Sequence, residues 1–208
     1  VAEGLISYQR EVKDLPIEVV QEVLDQLACI DRALAGRMMN DMLIVGRSGG
    51  GRRSVVSLLA HMFRLQVFSP PPARKYGDKE WKRDLKQVMQ MTGVEKQPTL
   101  FFLEDHHLTS SSFLESINSL LSAGDVPGIW TNEELEPLLA PLKEEWAASQ
   151  GRGGTARTPF EYFVQQVRER LRIVLSMDAK HPHFLPYCAA NPALFSCTTV
   201  MWLDEWSQ

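Results

Sequence analysis

Long apolar runs are missing from this 208-residue chain, and with them any helix of about 20 apolar residues that could cross a membrane. A secretory leader, with its basic start and short apolar core, is not visible either. Excess positive charge is absent: 22 Lys and Arg face 26 Asp and Glu, a formal net charge of −4. That argues against a nucleic-acid binder driven by overall charge, so any cationic chemistry must be local. Cysteine is scarce. Cys29, Cys188 and Cys197 form an odd set without a spacing pattern, the usage of a reducing, intracellular compartment. There are no internal repeats. The chain opens at Val1 rather than Met and stops at WLDEWSQ, just after an apolar strand-like run, so it reads as a piece of something longer.

What is present is the material of a globular core: 44% hydrophobic and 23% charged residues. Apolar residues recur at helical spacing from Leu15 to Ala35, through Val20, Val23, Leu24, Leu27 and Leu34 with an acidic exception at Asp31, and Gly36 ends the run. Met42 to Val45 predicts a short buried strand and Arg52 to Phe63 a helix. Gln66 to Ser69 predicts a second strand, stopped by the prolines at 70, 71 and 72. Asp78 to Thr92 predicts a helix that buries Trp81, Leu85, Val88 and Met89, and TLFFL after Pro98 a third strand. The run Thr109-Ser110-Ser111-Ser112 reads as helix capping ahead of a helix from Phe113 to Ala123, closed by Gly124. The excursion GDVPGIW leads to a capping box at Thr131 and Glu134. Residues 150–158, QGRGGTART, read as a flexible loop. Thr158-Pro159-Phe160-Glu161 then starts a helix that feeds the fourth strand, RIVLSM, and Thr198 to Trp202 is the fifth. Alternating strands and helices imply an α/β fold, a mostly parallel five-stranded sheet with helices on both faces. Ligands of such sheets sit beyond the carboxyl ends of the strands. Gly46, Glu104 and Asp178 each follow or end a strand and should gather there.

The stretch GRSGGGRRS, Gly46-Arg47-Ser48-Gly49-Gly50-Gly51-Arg52-Arg53-Ser54, lies between a predicted strand and a predicted helix. It has the glycine spacing of a phosphate-binding loop, in which inward-turned backbone N–H groups and the positive helix end cradle phosphate oxygens. The competing reading is a glycine-rich turn that binds nothing. In an ordinary loop of this type a Lys reaches the terminal phosphates and a Ser or Thr hydroxyl holds Mg²⁺. Arg52 stands in the Lys position: it keeps the charge, but on a larger, planar fork. Arg53 stands in the hydroxyl position, where a guanidinium cannot ligate a cation. Ser54 falls about 100° further round the helix. The loop therefore points to ATP or ADP and argues against Mg²⁺.

TLFFLED ends a buried strand in Glu104-Asp105, where the order Asp-Glu would supply the Mg²⁺-supporting and water-orienting acids. With lengths swapped, Glu104 still reaches toward a metal shell, whereas Asp105 is one methylene short for orienting water, and catalysis tolerates little misplacement. A solvated turn is an equal reading; in a purely structural module with an empty site, Glu104 or Asp105 would pair directly with Arg52. His106-His107 and His181-Pro182-His183 lack ligand spacing and read as surface or supporting histidines, with no metal site. Trp202 and Trp206 read as packing.

Five segments together resemble an AAA+ module of a dynein heavy chain: YQREVKDLPIEVVQEVLDQLACIDRALA, the Gly46–Ser54 loop, LLSAGDVPGIWTNEELEPLL, RIVLSMDAKHPHF and NPALFSCTTVMWLDEWS. The Arg-Arg loop with its Glu-Asp second motif is similar to the fourth module of the cytoplasmic dynein 2 class, the intraflagellar-transport motors. The resemblance covers nearly the whole chain. It implies a P-loop NTPase fold: the large subdomain alone, residues 1–208, with a hairpin insert at GDVPG and without the small helical subdomain. It implies that Glu104 and Asp105 hold degenerate catalytic positions, that Asp178 sits where a sensor Asn contacts the γ-phosphate, and that Leu15, Pro16 and Ile17 lie against the adenine. The family's arginine-finger position falls at Cys197, and a thiol cannot stabilise transferred charge. The implied partners are neighbouring AAA+ modules of the same chain, with microtubules and other dynein subunits reached only through the full-length motor. Neither nucleic acid nor membrane is implied. The implied setting is the cytoplasm, the cilium or flagellum and the cytoskeleton, in a minus-end-directed motor whose module here is regulatory or structural rather than hydrolytic.

Overall fold

The structure is a computed structural model that describes residues 2–12, 21–35, 41–47, 51–71, 76–151 and 153–203. Five strands, β1 (Asp41–Val45), β2 (Gln66–Phe68), β3 (Thr99–Glu104), β4 (Leu171–Met177) and β5 (Thr198–Trp202), form one sheet in the order β2-β3-β4-β1-β5. Every neighbouring pair is parallel, with Met42 opposite Val174 and Thr199, and Phe101 opposite Phe68 and Ile173. Interior parallel strands are covered on both faces and so read as unbroken apolar runs, as MLIV and LFFL do.

Side chains alternate along each strand, which divides the core in two. Met42, Ile44, Leu100, Phe102, Val174 and Met201 face α2 (Gln21–Ala35) and α3 (Arg52–Met62), joined by Tyr8 of α1 (Ala2–Glu11). Leu43, Val45, Phe101, Leu103, Ile173 and Leu175 face the other way. They meet α4 (Asp78–Gly93), α5 (Ser111–Ala123) and α8 (Pro159–Arg170), which follows α6 (Asn132–Leu139) and α7 (Lys143–Gln150). Two short helices, α9 (Phe184–Ala190) and α10 (Ala193–Ser196), bridge β4 to β5.

On α4 the four residues expected inside are buried, and Trp81 stacks on Phe113 at 4.6 Å. On α2 the core positions are Val23, Leu27, Ile30 and Leu34; Asp31 is exposed beside Ile30. Ser110 caps α5 by accepting the Ser112 N–H, and Gly124 ends it. Thr158 Oγ1 accepts the Glu161 N–H at 3.1 Å, but the Glu161 carboxylate reaches back to Arg157 N–H at 2.6 Å rather than to the capping residue itself.

Several expectations change. Residues 124–130 carry turns and no strand, so the insert at GDVPG is not a paired hairpin; Pro127 has no N–H to give a ladder. The loop after α7 begins at Gly151, and two donors, Trp146 Nε1 and Gln150 Nε2, tie its far arm at the Ala156 carbonyl. Trp202 is 62% exposed and meets only the edge of Phe184 among the aromatic rings described, so the packing role expected of it is slight. Trp206, Val20 and Gly36 lie outside the described residues.

Candidate functional site

Because all five strands run the same way, their carboxyl ends share one edge, and the loop, the second motif and the sensor position meet there. Gly46 continues β1, and its N–H bonds the Met177 carbonyl at the end of β4 at 3.0 Å. A Cβ at Gly46 would stand 2.9 Å from Leu203 Cβ, so the first glycine of the loop is needed where the chain leaving β5 crosses it. Gly51 has φ 70° and ψ 4°, a left-handed conformation that favours glycine, and among the described residues other than its chain neighbours no atom stands within 4 Å of where its Cβ would be. It delivers the chain into α3, whose first N–H groups carry the positive end of the helix. Ser48, Gly49 and Gly50, and the adenine-side candidates Leu15, Pro16 and Ile17, lie outside the described residues. Arg47 is exposed, and Ser54 is half-buried in the first turn of α3.

The two arginines diverge. Consecutive helical residues point about 100° apart, so one turns in and the other out. Arg52 is 7% exposed, and its Nη1 donates to the Met177 carbonyl at 3.0 Å. Arg53 is 59% exposed at its side chain, and its Nε and Nη2 donate to Glu104 Oε2 at 3.0 and 2.6 Å. Its guanidinium carbon lies 5.9 Å from the Phe102 ring centre. The direct ion pair across the site is thus Arg53 with Glu104, not the Arg52 pair that the sequence suggested.

Glu104 is held from behind. Its backbone N–H donates to His107 Nδ1 at 3.0 Å, across a short 3₁₀ turn, Asp105–His107. His107 is 4% exposed, and burial, with His106 and Arg53 nearby, pushes its pKa down to about 4. The ring is therefore neutral at physiological pH, with Nδ1 as acceptor and the proton on Nε2. The sequence left His107 between a surface and a supporting role, and its burial behind Glu104 fits the supporting one; the signal was a histidine three residues after a strand-ending acid.

Asp105 is half-buried, and its Oδ2 accepts the Asp178 backbone N–H at 2.9 Å. Burial raises its pKa, and Asp178 adds to that. The Asp178 N–H, Arg52 and His181 oppose the rise. Asp178 Oδ1 in turn accepts the Lys180 N–H at 2.9 Å. Glu104 and Asp105 are therefore engaged groups of a strand end rather than a solvated turn. Cys197 precedes β5 and so lies at the opposite, amino edge of the sheet. Its N–H closes α10 on the Ala193 carbonyl at 3.0 Å.

The Met177–Asp178 peptide is the centre of this arrangement. Its oxygen receives Gly46 N–H and Arg52, and its N–H is taken by Asp105. Among the described residues, this edge gathers Gly51 at the start of α3, the buried Arg52 and the exposed Arg53.

Comparison with known proteins agrees with this geometry. The family model of the P-loop containing dynein motor region D4 matches residues 15–208. The chain is 44% identical over 207 residues to cytoplasmic dynein 2 heavy chain 1 of Homo sapiens, and 43% over 202 residues to that of Tripneustes gratilla. It is 30% identical over 208 residues to the dynein-1-beta heavy chain of the flagellar inner arm I1 complex of Chlamydomonas reinhardtii. These alignments take in 97–100% of this chain but 5% of each relative, so the chain spans a small part of the heavy chains it matches. In fold it is similar to the S. cerevisiae Hsp104–ADP complex, with a TM-score of 0.54 at 13% identity over 98% of this chain and 30% of that one. A P-loop α/β core matched over nearly its whole length by one family makes the assignment: the chain belongs to the dynein motor region D4 family, an AAA+ segment of a dynein heavy chain.

Proposed function

We propose that this module is a regulatory or structural segment of a microtubule motor's AAA+ ring that binds ATP or ADP through its altered phosphate loop without efficient hydrolysis. One observation carries the reading. Asp105, in the water-orienting position, accepts the Asp178 backbone N–H on its Oδ2 at 2.9 Å. An acid one methylene shorter than Glu and tied to main chain does not reach a water in line with a terminal phosphate. Asp178 adds a carboxylate where a γ-phosphate would be sensed. Binding asks for less: Gly51 at the open end of α3, with Arg52 and Arg53 beside it, would hold the phosphates. A bound nucleotide would supply the negative charge that these groups are arranged to meet. Kinship to cytoplasmic dynein 2 heavy chains supports a motor context for this reading: intraflagellar transport in the cytoplasm and the cilium or flagellum, neighbouring modules as direct partners, and microtubules and other subunits reached through the rest of the chain.

Calorimetric titration with ADP and ATP, run beside a phosphate-release assay, tests this. The expected outcome is saturable binding with turnover at background. Steady ATP consumption that disappears in Arg52→Ala refutes the non-hydrolysing reading.

A second reading, a nucleotide-free spacer that mediates contacts between modules, draws on one observation: both arginines already have protein acceptors, Met177 O and Glu104. A thermal unfolding midpoint that ignores added ADP and ATP favours it.

A further inference from the structure

We infer that Arg53 stands in for the divalent cation, so that the site takes a nucleoside polyphosphate as a metal-free anion. The inference rests on the nucleotide-binding reading and specifies its charge requirement. In phosphate loops the ion sits between the hydroxyl that follows the Lys position and an acid at the end of a second strand, here β3, which lies beyond β4 from β1. Here those two places are Arg53 and Glu104, and they bond to each other at 3.0 and 2.6 Å. Mg²⁺ does not fit this set: one of its two protein ligands is replaced by a cation, and the other is neutralised by that same cation.

The arrangement holds the guanidinium in place. The Arg53 backbone is fixed in the first turn of α3, its planar head lies near the Phe102 ring, and the backbone of Glu104 is anchored by His107 Nδ1. Two of the five guanidinium N–H donors serve Glu104. The side chain is 59% exposed, so the remaining donors can turn to phosphate oxygens. Guanidinium matches phosphate by a fork of hydrogen bonds as well as by charge, which a bare ammonium would not do. The pocket thus brings its own counter-charge, and an added Mg²⁺ would compete with Arg53 for the same phosphate oxygens.

The test is calorimetric titration of ADP into the 208-residue chain, in excess EDTA and in excess MgCl₂, for the natural sequence and for Arg53→Thr. The expected result is ADP affinity in EDTA equal to or tighter than in Mg²⁺. Arg53→Thr should lose affinity in EDTA on the order of tenfold or more, the size of a lost charge-assisted hydrogen bond. It should also gain a Mg²⁺-dependent component, read independently as bound Mn²⁺ by electron paramagnetic resonance. Circular dichroism of the variant confirms that it folds. Binding by the natural chain that appears in Mg²⁺ and vanishes in EDTA overturns the inference while leaving nucleotide binding standing. So does an Arg53→Thr chain whose EDTA affinity is unchanged. No ADP binding in either buffer overturns the nucleotide reading itself, and this inference with it.

Discussion

Asp41 allows a quantitative test of how the sheet is built at the edge away from the site. Its Oδ1 accepts the Ile173 N–H at 2.6 Å, joining the start of β1 to β4. Burial raises its pKa from 3.8 to about 6, against the pull of that N–H and of Arg172 and Arg168. Between those two values the folded chain holds a proton that the unfolded chain has released. Stability therefore falls as pH rises through the window. A shift of about two units corresponds to roughly 3 kcal/mol, complete above pH 6 and absent below 3.8. About half of it accumulates between pH 5 and 8. Asp41→Asn keeps an oxygen for Ile173 and removes the charge. Urea unfolding of both chains from pH 4 to pH 8 should give a stability difference that grows in favour of Asn by roughly 2–3 kcal/mol over that span. Any constant offset from the new amide N–H₂ cancels in the slope. Two stability curves that stay parallel across the window would refute the assignment of a buried, proton-retaining carboxyl at this edge.

Two further outcomes follow from packing and protonation. A Cβ at Gly93 would stand 2.3 Å from Phe163 Cε2 and 2.9 Å from Val167 Cγ2, so Gly93→Ala should push α4 from α8 and cost about 1–3 kcal/mol, measured by denaturant midpoint; an unchanged midpoint shows that α8 yields freely. The His107 ring, with its pKa near 4, should show no NMR titration of its C2 proton above pH 5, and its contribution to stability should fade as pH drops from about 6.5 toward 4; a midpoint near 6.5 would mean that the ring is not buried against Glu104.

The five strands were legible because strands covered on both faces carry unbroken apolar runs, and predicted bounds fall within two residues of those observed. The helices α3, α4, α5 and α8 announced themselves by spacing and caps. α1 did not, since Ala2–Glu11 is polar with few apolar positions, and α9 and α10 are too short to show a period. At the site, the parallel sheet alone brought Gly46, Glu104, Asp105 and Asp178 to one edge. Which arginine meets which acid was not readable. Arg52 and Arg53 are adjacent in sequence, and only the rotation of α3 on the sheet decides that the first turns inward to Met177 and the second outward to Glu104. Hydrogen bonds to main chain, such as Asp105 to Asp178, leave no trace in residue identity.

The amide between Met177 and Asp178 lies at the end of β4, the middle strand of the five, and it makes three hydrogen bonds with two segments distant in sequence, the Gly46–Arg52 stretch and Asp105. A guest that recruits Arg52 or Asp105 loosens that junction from one side or the other. Occupancy and the order of the central strand are then two readings of one equilibrium, and deuterium uptake at the Asp178 amide becomes a local gauge of it.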